Sequence, residues 1–191
     1  MSNSFFAYIF RMRYIARWAL MRNTRVENVE EHSYEVAVLA HALAVIGRDV
    51  LGRDVDPNAA AAAALFHDAP EIITGDMPTP IKHNNPHLKQ AYRQVEGAAQ
   101  DKLLSTLPPA LIPAYEPLVR ESDPATRPYV KAADKLAAWL KCQEELKAGN
   151  REFQRAADET LAALKAMGMA EVDWFMEQMG DTFQLTLDDL G

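Results

Sequence analysis

Cysteine is nearly absent: Cys142 is the only one among 191 residues. No internal disulfide can form, so the fold must rest on packing, and a lone thiol suits a reducing compartment; a cytoplasmic protein is expected. Basic charge is also scarce. Lys plus Arg number 20 against 27 for Asp plus Glu, a net charge of −7. That excludes the broad cationic surface on which proteins bind nucleic-acid polymers. An anionic ligand must then be met by local cations or by a bound metal. Long apolar runs are missing. Ala59 to Phe66 falls short of the roughly 18 residues a membrane span needs, so no membrane partner is expected. Phe5 to Phe10 is too short for the core of a signal peptide, and Met1 to Ser4 carries no basic charge, so none is expected here. Strand-like alternation, internal repeats and low-complexity linkers are absent.

What remains is helical. Apolar residues make up 49% of the chain and charged residues 25%, ordinary values for a globular protein. A chain of this length can bury a sizeable core without a staple. Phe5 to Phe10 continues at helical spacing through Met12 to Ile15 and Ala16. A second helix is predicted from near Glu31 to Gly47, with Val36, Leu39, Ala40, Leu43 and Ile46 on one face. A third starts at Asp56, a good N-cap, followed by Pro57 at the first helical position. It runs through an alanine row to His67 and Asp68 and stops at Gly75. Asp76 to Pro86 has turn chemistry. Helix resumes over about Leu88 to Leu107, in short pieces over Leu111 to Arg127, as a long helix from about Arg127 to Lys147, and twice more near Glu152 to Met167 and Val172 to Met179. The expected architecture is a single all-α, bundle-like domain over residues 1–191.

His67-Asp68 inside the apolar third helix is the most informative pair. An imidazole and a carboxylate there must be paired, solvated or bound to something. Taken alone, the usual explanation of such a dipeptide is a structural ion pair. His32, at the start of the second helix, and Asp134, on the flank of the long helix, give it company. Two imidazoles and two carboxylates from three helices make a mixed nitrogen and oxygen donor set suited to one divalent transition metal, with positions left open for water and substrate. Spacing over such distances is not diagnostic by itself: His32 could be a surface histidine, and Asp134 a partner of Lys131 or Lys135. Glu144 and Glu145, with Lys141 and Lys147, read as a solvated helix face bearing weak ion pairs. Met167, Met169, Met176 and Met179 read as core or subunit contacts.

The order His, His-Asp, Asp resembles the HD-domain metal-dependent phosphohydrolase superfamily, and within it the bacterial 5′-deoxynucleotidases. The motifs that carry the resemblance are Arg17-Trp18 with Met21-Arg22-Asn23, then Asn28-Val29-Glu30-Glu31-His32-Ser33, and His67-Asp68-Ala69-Pro70-Glu71. Thr74-Gly75-Asp76-Met77-Pro78-Thr79-Pro80 follows, with Lys131-Ala132-Ala133-Asp134, Leu140-Lys141-Cys142, Glu144-Glu145-Leu146, Ala148-Gly149-Asn150 and Phe175-Met176-Glu177. They span nearly the whole chain. The resemblance implies an HD-domain helical bundle that binds one divalent cation, cobalt, manganese or similar, through His32, His67, Asp68 and Asp134. It places Arg17, Trp18, Asp76, Met77, Pro78 and Thr79 against substrate, with His32, Asp68 and Asp134 counted as substrate-binding too. It makes Glu71 the catalytic carboxylate, with Arg17 and Asp76 as further catalytic groups, and it implies a homodimer.

The chemistry implied is hydrolysis of 2′-deoxyribonucleoside 5′-monophosphates. Arg17 would grip the phosphate, Trp18 would crowd the 2′ position of the sugar, and Glu71 would orient or deprotonate the attacking water. On an unbroken helix Glu71, four residues after His67, would share its face. Pro70 departs from the family, which carries a hydroxyl residue there, and predicts a kink before Glu71. Two alternatives stand beside this reading. A triphosphohydrolase or phosphodiesterase of the same superfamily would want more cations than Arg22, Arg25 and Lys82. A non-catalytic nucleotide-binding module would be expected to have lost a ligand or Glu71, and neither is lost.

Overall fold

The computed structural model describes residues 3–78, 81 and 85–191. Among them there is no β-strand, and the helices run α1 (Phe5–Ile9), α2 (Val29–Val45), α3 (Pro57–Phe66), α4 (Glu71–Thr74), α5 (Pro86–Leu104), α6 (Ile112–Val119), α7 (Arg127–Lys147), α8 (Gln154–Lys165) and α9 (Ala170–Met179). No helix among the described residues is long and apolar enough to cross a membrane.

Local chemistry sets most of the boundaries. α2 opens two residues earlier than predicted, because Asn28 and Glu31 form a reciprocal capping box: the Asn28 side chain accepts from the Glu31 N–H at 3.0 Å, and Glu31 Oε2 accepts from the Asn28 N–H at 3.2 Å. α3 opens as predicted, with the Asp56 side chain accepting from the Asn58 N–H at 2.8 Å and Pro57 at the first helical position. Its small residues Ala60, Ala63 and Ala64 are buried, which lets α3 pack closely along α2. Asn85 and Pro86 start α5 in the same way as Asp56 and Pro57 start α3.

The first predicted helix is much shorter than its pattern suggests. α1 ends at Ile9, a single 3-10 turn follows at Met12–Tyr14, and the chain then runs extended. The backbone groups that a longer helix would use find partners across a neck instead. Arg17 N–H donates to the Glu27 carbonyl at 2.9 Å, Val29 N–H donates to the Ile15 carbonyl at 3.0 Å, and Ala16 pairs with Asn28.

The third helix is also interrupted. Pro70 has no N–H for the Phe66 carbonyl, and Ala69 N–H takes that acceptor at 3.0 Å. Glu71 N–H then reaches Asp68 at 3.0 Å, so residues 67–70 form a tight turn and Glu71 begins a separate short helix. Gly75, at φ +72, ends α4 in the left-handed region that glycine enters without strain.

The main core lies between α2, α3, α7, α8 and α9, with Val36, Leu43, Ala64, Leu136, Leu164 and Phe175 at its centre. The four methionines near the C-terminal end lie against it, partly buried. A second cluster joins α1, α5 and α6, where Phe5 meets Tyr115 edge-on at 5.3 Å and stacks on Phe66 at 6.3 Å.

α7 departs most sharply from the predicted solvated face. Glu145 and Lys141 are buried, not exposed. Glu145 accepts from Lys141 Nζ at 2.6 Å, Thr24 Oγ1 at 2.8 Å, Thr24 N–H at 2.9 Å and Asn150 Nδ2 at 2.8 Å. Lys141 also donates to the Arg25 carbonyl at 2.7 Å. The pair therefore pins the loop between Trp18 and Glu27 onto α7. Burial pushes the Glu145 carboxyl up, but the hydrogen bonds from Lys141, Asn150 and Thr24 outweigh it and hold it well below the usual range.

Glu145→Gln is expected to destabilise the fold by about 3 kcal/mol, because it leaves the buried Lys141 charge without its partner. The lowered pKa makes this stability complete above the ordinary glutamate value of 4.5 and lost as pH falls from there toward the folded value. Denaturant melts of wild type and variant from pH 7 to pH 3 check both statements: the gap should narrow as pH falls, and a gap independent of pH would contradict them.

Candidate metal centre

Three pieces of backbone bring the predicted ligands together. His32 sits on the first turn and a half of α2, on the face that enters the core, and is fully buried. His67 and Asp68 occupy the tight turn that follows α3. Asp134 projects from α7, two turns into the helix. Single donor atoms from His32, His67 and Asp68 all lie within 4.8 Å of one another. Asp134 joins them through His32, with Nε2 to Oδ1 at 3.1 Å.

Asp68 Oδ2 is the meeting point: it lies 3.2 Å from His67 Nε2, 3.7 Å from His32 Nε2 and 3.2 Å from the Arg17 guanidinium. The two imidazole rings stand 5.4 Å apart, centroid to centroid. The Ala64 carbonyl can only accept, so His67 Nδ1 carries a proton and donates to it at 2.7 Å. That turns Nε2 inward, where it is buried without a well-aligned hydrogen bond. Two imidazole nitrogens and two carboxylates gathered this way fit a divalent transition cation. Side-chain exposure rises from 0% at His32 through 5% at His67 and 19% at Asp68 to 40% at Asp134, so the centre opens toward solvent on the α7 side. A cavity of about 170 Å³ lies there, bounded by three of the predicted ligands, His67, Asp68 and Asp134, with Glu96, Glu121 and Lys131. A larger cavity of about 640 Å³ lies elsewhere, along the outer side of α2 and α7.

The charges are strongly coupled. Burial would lower the His67 pKa, but Asp68, Asp134 and the Ala64 carbonyl overcome it and raise it to about 9. Burial would raise Asp68 and Asp134, yet the imidazoles hold both below the usual carboxylate range, with Arg17 adding to the effect on Asp68.

The remaining predicted substrate residues lie around this centre, Thr79 excepted, which falls outside the described residues. Arg17 is at the centre, bonded to Asp68 and to Glu27, and four carboxylates keep its charge fixed against burial. Trp18 is next to it, with Nε1 donating to Glu27 at 2.8 Å and its ring tilted against Phe153 at 5.3 Å. Its backbone sits at φ 59, a conformation that costs a non-glycine residue about 1–3 kcal/mol and persists only where its surroundings enforce it. Asp76 is half-buried within the field of Arg17 and Asp68; burial pushes its carboxyl up, Asp68 adds to this and Arg17 opposes it. Met77 and Pro78 follow, half-buried, and Thr79 lies outside the described residues. Glu71 is buried at the first position of α4, directly after the turn that carries His67 and Asp68, so it does not share an unbroken helix with His67.

Sequence reasoning missed Glu27. It is buried, and it touches Arg17, Trp18 and, at 4.0 Å, His32 Nδ1. Its only mark in the sequence is its place just before the N-cap of α2, where an acid is commonly explained by the helix dipole.

Residues 4–183 match the family model described as 5′-deoxynucleotidase YfbR-like. The 5′-deoxynucleotidase plu3092 of Photorhabdus laumondii is 45% identical over 188 residues, 97% of this chain and 95% of that protein. The 5′-deoxynucleotidase YfbR of Escherichia coli O1:K1 is 46% identical over 189 residues, 97% of this chain and 94% of that protein. Among solved structures, an HD-domain phosphohydrolase from Listeria innocua superposes with a TM-score of 0.83 at 25% identity, covering 95% of this chain and 88% of that one. The HD phosphohydrolase DatZ of cyanophage S-2L, solved with dA and one catalytic Zn²⁺ ion, superposes with a TM-score of 0.68 at 25% identity, covering 94% of this chain and 96% of that one.

Metal-stripped protein titrated with Mn²⁺ or Co²⁺ should take up one equivalent and melt at higher temperature, stabilised by about 2.7 kcal/mol at a hundredfold excess of metal over Kd. His32→Ala or Asp134→Ala should abolish the shift. Because the carboxylates hold the metal-free His67 up to about 9, protons compete with the ion below that pH; apparent affinity should rise with pH and level off near 9. Calorimetry across pH 6 to 10 checks the slope, and an affinity flat over that range would contradict it.

Proposed function

The chain belongs to the YfbR-like 5′-deoxynucleotidase family, and we propose that it hydrolyses 2′-deoxyribonucleoside 5′-monophosphates to the deoxynucleoside and phosphate at the centre built on Asp68. The observation that carries the reading is the convergence on one carboxylate oxygen: Asp68 Oδ2 faces both imidazoles and the Arg17 guanidinium within 3.7 Å. Metal donors and a phosphate-gripping cation thus share one atom, which is the arrangement a phosphomonoester needs.

His32, His67, Asp68 and Asp134 would hold the cation, with manganese or cobalt as the expected identities. When bound, it supplies Lewis acidity, activating water and neutralising phosphate charge. Arg17 spends Nε on Glu27 and one terminal nitrogen on Asp68, and its remaining N–H groups bind phosphate oxygens as negative charge spreads over them. Glu71 accepts the proton of the attacking water, whose oxygen bonds to phosphorus as the bond to the 5′-oxygen breaks. Asp76, its carboxyl pushed up by burial, returns a proton to the departing 5′-oxygen. Trp18 packs against the sugar and crowds the 2′ position, Met77 and Pro78 bind the substrate beside it, and Thr79, outside the described residues, is a further substrate residue by its place in the motif. The reading includes a cytoplasmic location and a homodimer, and exposed Tyr34 and Val38 on α2, beside a groove that contains Leu140, Phe175 and Phe183, support the second of these.

A triphosphate substrate is less well served. Arg25 faces Glu31 and Glu144, at 3.8 and 3.7 Å.

Phosphate release from dAMP, AMP and dATP, measured side by side on metal-stripped protein with and without Mn²⁺ or Co²⁺, should show metal-dependent turnover of dAMP well above the other two. Glu71→Gln should lower kcat by about a hundredfold or more with little change in KM. Trp18→Ala should reduce the dAMP to AMP preference by about tenfold. Folded, metal-loaded protein that releases nothing from dAMP would sink the proposal.

A further inference from the structure

We propose that Glu27 is the positioning residue that locks the sugar-reading and phosphate-gripping groups to the metal centre, so that metal affinity and selection of deoxyribose depend on one carboxylate. The inference rests on the deoxynucleotidase reading. Glu27 is buried, with its side chain 7% exposed. Its Oε2 accepts from Arg17 Nε at 3.1 Å and from Trp18 Nε1 at 2.8 Å. Its backbone carbonyl accepts the Arg17 N–H at 2.9 Å, so side chain and main chain together clamp the two residues. Its Oε1 stands 4.0 Å from His32 Nδ1, too far for a hydrogen bond but close enough to act electrostatically.

Each contact restrains a degree of freedom that the reaction needs fixed. The Arg17 guanidinium can rotate about its long side chain; tying Nε to Glu27 aims the opposite edge at Asp68. Trp18 sits in the left-handed region at φ 59, and a ring on such a backbone keeps one orientation only if something holds it. The indole N–H to Glu27 does so, together with Asn23 Nδ2 donating to the Trp18 carbonyl at 3.3 Å. With His32 Nε2 turned to Asp134 and Asp68, the ring's other nitrogen is buried without a hydrogen bond and faces the Glu27 carboxylate. A carboxylate held behind an imidazole favours one orientation of the ring, and losing such an outer partner of a metal-binding histidine commonly costs 10- to 100-fold in metal affinity or activity.

The test uses the full chain carrying Glu27→Gln or Glu27→Ala, with Glu30→Gln as control, an exposed partner of Arg13 at 3.1 Å. Two quantities are read: Mn²⁺ affinity by calorimetry with no nucleotide present, and kcat/KM for dAMP and for AMP. Both Glu27 variants should bind Mn²⁺ about 10-fold or more weakly, and their dAMP to AMP ratio should fall, because a freed indole no longer excludes the 2′-hydroxyl. Glu30→Gln should match wild type in both. The Gln variant keeps the shape and an acceptor, so it remains informative if the Ala variant does not fold. Unchanged Mn²⁺ affinity in Glu27→Gln would overturn the proposal, and so would equal losses on dAMP and AMP, which a merely structural role produces. If wild type hydrolyses neither nucleotide, the deoxynucleotidase reading falls by itself, and the Mn²⁺ arm alone decides whether Glu27 positions the centre.

Discussion

Asp68 Oδ2 is held 3.2 Å from Arg17 and 3.2 Å from His67 while largely buried, and that requirement organises the molecule. A carboxylate taken out of water is costly unless positive or polarised groups surround it. Here they come from three separate parts of the chain, the neck after α1, the start of α2 and the turn after α3, while the flank of α7 adds a second carboxylate, Asp134, that faces the same imidazoles. The apolar core between α2, α3 and α7 exists on one side of this point, and the opening to solvent on the other. Arg17 and His67 offset the charge of the carboxylates in the free centre, and a divalent cation among the same donors would do so more strongly.

The turn that carries Asp68 shows how a local backbone constraint becomes a site. An alanine-rich helix would continue past His67 on propensity alone. Pro70 removes one N–H, the hydrogen bonding tightens to three-residue spacing, and His67 and Asp68 leave the helix on a turn rather than one behind the other along a cylinder. Both side chains then reach the same small volume. Glu145, some distance away, has the complementary role. It holds Thr24, Arg25 and Asn150 directly and Arg25 again through Lys141, and so fixes the loop whose two ends are Trp18 and Glu27.

Much of this was legible in the amino-acid sequence, and the remainder has a common cause. The all-α class followed from periodicity, and the start of α3 from Asp56 and Pro57. His67 and Asp68 stood out because an imidazole and a carboxylate in an apolar helix need an explanation, and the resemblance to the HD-domain phosphohydrolases is what joined His32 and Asp134 to them as candidate donors. The break at Pro70 was foreseeable from the missing N–H. Glu145 and Lys141 were misread because their spacing of four is also that of a surface ion pair; only their distant partners in the loop after Trp18 reveal a buried hub. Glu27 escaped for the same reason, since its partners Arg17 and Trp18 meet it across a neck that no local pattern announces. The overlong first helix failed because backbone bonds at Ile15 and Arg17 are satisfied by Val29 and Glu27 instead of by the preceding turn.

The most direct test is a crystal structure of the Glu71→Gln variant with cobalt and dAMP, phased at the cobalt absorption edge. The account predicts one anomalous peak bounded by His32, His67, Asp68 and Asp134, with the phosphate on that peak and against Arg17, and the deoxyribose against Trp18. A cation bound away from Asp68, or a nucleotide seated in the cavity between α2 and α7 instead, would contradict it.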